Sequence, residues 1–248
     1  MKVLAVDTST MVSTCAVLDD EKILGEYSLN QEVTHSENLV PMIKEMLDNL
    51  GLKASDIDLY GVATGPGSFT GLRIGIATVK SLAHVFDKPI VGVSTLEGLA
   101  FNLPYKGIIV PMIDARRNRV YTGIYRWENG NIISIIEPTI MEIDALLEYL
   151  NKNYNNIMVN GNGATLYKDK IMSTLGEKVK LAPVGLNGCR AASICELSLL
   201  KWKEGKVNDY YTLVPNYLRE SQAQRELRKK ESGNYGYINS RNEGSRSR

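Results

Sequence analysis

The order of short apolar runs constrains this chain most, because the same order occurs twice. Residues 3–6 form a β-prone run that stops at Asp7, and 13–18 and 23–28 follow as a hairpin about the turn 19–22. Residues 36–50 place Leu39, Met42, Ile43, Met46, Leu47 and Leu50 at the three-and-four spacing of an amphipathic helix. Ser36 stands where an N-cap belongs and Gly51 just past the end. A strand over 59–64 then runs into Gly65-Pro66-Gly67, followed by a long helix over 69–86 and a strand over 90–93. From residue 108 the series returns. A run over 108–113 stops at Asp114, 120–126 and 132–136 form a hairpin, and 144–150 reads as a helix. A strand over 156–159 runs into Gly161-Asn162-Gly163, then a helix over 166–175, a strand over 179–182 and a helix over 190–204. The letters of the two halves differ, so the repeat is one of order.

Two such units give an α/β chain of two lobes, each a mixed sheet flanked by helices, with the boundary at 103–107 where a Pro and a Gly flank the change. The expected division is a first lobe over 1–105 and a second over 106–230, whose last helices can pack back on the first. Residues 231–248 hold few apolar side chains and read as a disordered tail. Duplicated lobes of this kind are the pattern of the actin-like ATPase (ribonuclease-H-like) architecture. The 29 basic residues are balanced by 28 acidic ones, which speaks against strong autonomous RNA binding. Cys15, Cys189 and Cys195 lack metal or redox spacing and read as reduced packing residues. Asp7 interrupts any signal-peptide core, and no stretch approaches the roughly 18 apolar residues of a spanning helix. A cytoplasmic protein without a membrane partner is expected.

Phosphate binding in this architecture uses hairpin turns whose backbone N–H groups are open, which favours glycine. Asp7-Thr8-Ser9-Thr10 and its counterpart Asp114-Ala115-Arg116-Arg117-Asn118 contain none. Each Asp either belongs to a degraded nucleotide cleft or satisfies loop N–H groups at its own strand end. Gly65-Pro66-Gly67-Ser68-Phe69-Thr70-Gly71 sits where a phosphate loop would. However, its third Gly comes one residue late for a dinucleotide fingerprint, and no Lys-Ser/Thr follows for a Walker loop. The candidate cleft is Asp7, Thr8, Ser9, Gly65, Gly67, Asp114, Gly161 and Gly163, with a tight strand-to-helix turn as the plainer alternative.

The helix over 69–86 is apolar nearly all round, so something must cover more than one side of it, either this chain or another protein. Gly67, Gly71 and Gly75 form a small-residue stripe open to a second helix. Catalytic engines are missing. The two His residues, His35 and His84, share no helical face, and no nucleophile elbow is present. No metal site is expected. Residues 219–230 carry Arg219, Arg225, Arg228, Lys229 and Lys230 against Glu220 and Glu226, either a solvated face or a contact for RNA or an acidic partner.

Several runs together resemble the TsaB (YeaZ) family: Asp7-Thr8-Ser9, His35-Ser36-Glu37-Asn38-Leu39-Val40-Pro41, Gly65 through Gly75, Asp114-Ala115-Arg116, and Pro215-Asn216-Tyr217-Leu218-Arg219. The match extends in order to about Arg225. The resemblance implies a non-catalytic scaffold or activator in the threonylcarbamoylation of the adenosine next to the anticodon of tRNA. It implies pairing with the catalytic paralogue TsaD, and addition of the small ATPase TsaE. It further implies homodimers through the same helices, and tRNA met through the complex. ATP or ADP and a metal would then belong to the partner subunits, with no cofactor of this chain's own. The expected interface is Leu39, Met42, Ile43, Met46, Gly71, Leu72, Gly75, Ile76 and Val79, where Gly75→Arg or Ile76→Asp should abolish pairing and leave the monomer folded. The alternatives are a small ATPase or kinase using Asp7 and Asp114, or a metallopeptidase, for which the chain offers no ligand cluster.

Overall fold

The computed structural model describes residues 1–30 and 35–218, with side chains from Glu37 onward in the second stretch. The tail and the basic run 219–230 lie outside the described residues, as do the side chains of His35 and Ser36.

The first sheet is built from β1 (Lys2–Asp7), β2 (Val12–Asp19), β3 (Lys22–Asn30), β4 (Leu59–Gly65) and β5 (Ile90–Ser94) in the order β3-β2-β1-β4-β5. The second uses β6 (Ile108–Asp114), β7 (Arg119–Glu128), β8 (Asn131–Glu142), β9 (Ile157–Asn160) and β10 (Val179–Leu181) in the order β10-β9-β6-β7-β8. Numbered within each half, the two orders are identical. In both, the first three strands pair antiparallel and the last two add in parallel. The duplication is thus one of topology. The glycines that end the fourth strand of each half also share a left-handed backbone, φ +109 at Gly65 and φ +93 just past the strand at Gly161.

Central strands are apolar on both faces because both faces are covered. Leu4, Val6, Cys15, Val17, Tyr60 and Val62 point to one side, where α1 (His35–Asn49) and α2 (Phe69–Phe86) pack. Their alternates Val3, Ala5, Ala16, Leu18, Leu59 and Ala63 point to the other, against α7 (Ala191–Lys203). In the second sheet, Ile108, Val110 and Met112 face α4 (Ile143–Asn153), α5 (Asn162–Leu166) and α6 (Lys168–Leu175). Ile109 and Ile113 face α3 (Thr95–Phe101) through Leu96, Leu99 and Ala100.

The covering helices are therefore exchanged. α3 belongs to the first half and packs on the second sheet, while α7 belongs to the second half and packs on the first. The two helices also meet each other: Lys201 donates to Glu97 at 2.8 Å, and the Ser193 hydroxyl to Asn102 at 2.6 Å. The N-terminus of α7 is held by Glu26 of β3, which accepts from Arg190 Nε at 3.1 Å and from Ala192 N–H at 3.0 Å. A carboxylate there also suits the positive end of the helix dipole.

Three local expectations change. The helix expected over 166–175 is two, α5 and α6, broken at Tyr167. β8 continues past 136 to Glu142 despite Pro138, because it is an edge strand where a missing N–H is tolerated. α3 has no counterpart in the sequence reading. It is only 7 residues long with Gly98 inside, too short to display a helical period.

Candidate functional site

The β1–β2 turn, where a nucleotide's phosphates would be expected, is packed shut. Asp7 is buried, and its Oδ1 accepts from Ser9 N–H at 2.7 Å. The second half repeats this: Asp114 Oδ1 accepts from Arg116 N–H at 2.8 Å. The half-buried Asp114 also has Arg116 Nε 3.7 Å from its Oδ2. Both carboxylates thus bind their own loops. The β6–β7 turn runs through three consecutive left-handed residues, Arg116, Arg117 and Asn118, so bulky side chains stand where glycines would open a cradle.

Across from the β1–β2 turn lies the N-terminus of α2. Ser68 caps the helix, its hydroxyl accepting from Gly71 N–H at 3.2 Å. Ser68 N–H donates to Ser9 O at 2.7 Å, and Thr8 Oγ1 donates to Gly71 O at 2.7 Å. A Cβ on Gly67 would collide with the Ser9 carbonyl oxygen, and one on Gly75 with Thr8 Oγ1. The glycine stripe is occupied by the chain's own turn. This corrects the expectation that it receives a second helix.

A third strand of chain completes the plug. Asn187 accepts from Gly161 N–H through its carbonyl at 2.9 Å and its side chain at 3.1 Å. Two residues on, the Cys189 sulfur lies 3.8 Å from Ser9 Oγ and 3.9 Å from Thr10 Oγ1. The loop 187–189 therefore touches the Gly-x-Gly turn of one half and the hairpin turn of the other. Burial, and then the Asp7 carboxylate, push the Cys189 thiol well above its ordinary range. The cleft residues fall into two groups, Asp7, Thr8, Ser9, Gly65 and Gly67 in one lobe and Asp114, Gly161 and Gly163 in the other, with this loop between them.

Phosphates need backbone donors aimed at them. Those of Ser9, Ser68, Gly71, Arg116 and Gly161 are aimed at the chain itself, and Pro66 has none. Among the described residues, no group of three His, Cys, Asp or Glu side chains could hold a metal ion.

The nine residues expected to form an interface, Leu39, Met42, Ile43, Met46, Gly71, Leu72, Gly75, Ile76 and Val79, are all buried in this chain's own core. The sheet beneath α1 and α2 uses their apolar side chains. Gly75→Arg and Ile76→Asp therefore attack the monomer and cannot separate pairing from folding. The opposite faces remain open. Val40, Lys44, Thr78 and Leu82 line an apolar groove between α1 and α2, and Val40 is 57% exposed. The far side of α2 is contacted by residues 210–217. Lys80 donates to Tyr211 O at 3.3 Å and Leu213 O at 3.1 Å. Tyr217 stacks on Phe69 at 4.4 Å and accepts from Arg73 at 2.9 Å, and Asn216 N–H donates to Thr64 O at 2.7 Å. Asn216 and Tyr217, from the Pro215–Leu218 part of the late motif, thus clasp the segment from Thr64 to Arg73, a meeting nothing local in the sequence encodes.

The sequence and the fold both have relatives among known proteins. The protein of Bacillus subtilis (strain 168) named tRNA threonylcarbamoyladenosine biosynthesis protein TsaB is 33% identical over 225 residues, 90% of this chain and 96% of that protein. The chain belongs to the TsaB family. A family model described as TsaD: tRNA N6-adenosine threonylcarbamoyltransferase matches residues 22–227 of this TsaB-family chain. The crystal structure of YeaZ from Pseudomonas aeruginosa is 26% identical, with a TM-score of 0.75 over 88% of this chain and 99% of that one. Component A of (R)-2-hydroxyglutaryl-CoA dehydratase from Acidaminococcus fermentans has a TM-score of 0.50 at 14% identity, covering 81% and 98% of the two chains. That likeness speaks for the fold alone, the two-lobed actin-like ATPase architecture. Among the described residues of this TsaB-family chain, no helix is long and apolar enough to cross a membrane.

Proposed function

We propose that this chain is the non-catalytic partner of a TsaD-type threonylcarbamoyltransferase in tRNA threonylcarbamoyladenosine biosynthesis. One observation carries the reading: Ser68 N–H, at the N-terminus of the helix where phosphate would bind, is bonded to the chain's own Ser9 carbonyl at 2.7 Å. A subunit whose phosphate turns hold each other contributes surface, and the chemistry is left to the partner. The open groove between α1 and α2 is the surface for pairing, with TsaD or with a second copy, and TsaE and tRNA join through that assembly. Nucleotide and metal belong to the partners.

Titrating the isolated chain with Mg-ATP tests the filled turns. No binding heat is expected up to millimolar nucleotide. Saturable binding, with turnover lost in Asp114→Ala, would move the chain to the ATPase or kinase reading.

A further inference from the structure

The β1–β2 turn has lost the form of a phosphate cradle, yet its contacts are numerous and specific. Thr8 is 2% exposed, and its hydroxyl donates to Gly71 O at 2.7 Å. The same oxygen fills the space over Gly75, while the Ser9 carbonyl fills the space over Gly67 and accepts from Ser68 N–H. One turn thus contacts three successive steps of the α2 glycine stripe. It fixes the helix along its axis, through the two hydrogen bonds, and about its axis, through the clefts over Gly67 and Gly75. Behind the turn stands Cys189, buried in the loop that also holds Gly161 of the second lobe.

We infer that the former phosphate turn works as a wedge that sets the position of α2, with Thr8 as the positioning residue for the partner-facing groove. The groove's role rests on the function proposed above, whereas the wedge itself does not. On the open face, Thr78 and Leu82 of α2 stand beside Val40 and Lys44 of α1. A small shift of α2 would change that face without touching it, because packed interfaces tolerate little misfit.

The test uses the full chain carrying Thr8→Val, which keeps the side-chain volume and removes the hydroxyl, and Thr8→Ser, which keeps the hydroxyl. Val159→Ala, in the buried core of the second sheet, serves as a variant destabilised elsewhere. Amide hydrogen exchange of each isolated protein is compared over residues 69–79. Thr8→Val should raise exchange there about tenfold, the worth of one buried hydrogen bond, with Thr8→Ser near wild type. Val159→Ala should raise exchange alike in α2 and in the buried strands of both sheets, whereas the Thr8→Val increase should be confined to α2. Unchanged α2 exchange in Thr8→Val, or equal losses in the Val and Ser variants, would overturn the wedge. Affinity for the TsaD-type partner is then measured by sedimentation. A roughly tenfold weakening in Thr8→Val alone supports positioning. Wild-type affinity despite a loosened α2 would overturn the positioning role. A wild-type chain that fails to pair would defeat the proposed function and leave the exchange result standing.

Discussion

Cys189 is one of several side chains through which the second half of the molecule touches the first. With Cys15 and Cys195 it makes three buried free thiols, each pushed up first by burial; Cys15 rises from 9.0 to about 12. A thiol held protonated in the folded state costs nothing below its unfolded pKa. Above it the unfolded chain ionises and the folded chain does not, so stability falls as pH rises. For Cys15 the window runs from about pH 9 to about 12, at up to about 1.4 kcal/mol per pH unit. Urea midpoints should decline across that window, and Cys15→Ala should flatten the decline while lowering the midpoint at pH 7. An unchanged alkaline slope in the variant would mean that this thiol titrates normally in the folded protein. Sequence alone marked these cysteines as packing residues from their apolar surroundings. Nothing local marks Cys189 as a contact between the halves, since Ser9 is 180 positions away.

At the scale of elements, α2 is the centre of the account. Its all-round apolar surface was legible in the sequence, and so was the conclusion that more than one side must be covered. Which neighbour covers which side was not legible, because it depends on non-local packing. The sheet takes Ile76, Val79 and Ala83; the turn at Thr8 takes the glycines; residues 210–217 lie along the side bearing Arg73 and Lys80. What stays open is the side toward α1, with Val40 and Leu82. Replacing the exposed Val40 by Asp should leave the melting temperature within a few degrees of wild type, as surface changes usually do. It should weaken pairing with the TsaD-type partner at least tenfold. Sedimentation showing intact pairing in Val40→Asp would remove this groove from the interface.

The whole molecule is two copies of one topology tied by exchanged helices. The strand–hairpin–helix order of each copy could be read directly, since strands ending in Asp7 and Asp114 and turns at Gly65 and Gly161 punctuate both. The exchange could not be read, because α3 is too short to signal itself and α7 looks the same whichever sheet it covers. Each sheet relies on a helix from the other half, through Leu96 and Leu99 in one direction and Ile194 and Leu197 in the other. Residues 1–218 should therefore unfold as one cooperative unit. Denaturation followed by tryptophan fluorescence and by far-ultraviolet dichroism should give coincident transitions. Two resolved transitions would mean that the lobes stand independently.

The central claim, that this chain activates a transferase and performs no chemistry, is tested most directly by reconstitution. TsaD and TsaE are supplied with threonylcarbamoyl adenylate and unmodified tRNA, with and without this protein. tRNA modification should depend strongly on its addition, with none from the chain alone. Modification that proceeds equally well without it would contradict the account, as would modification by the chain in the absence of TsaD.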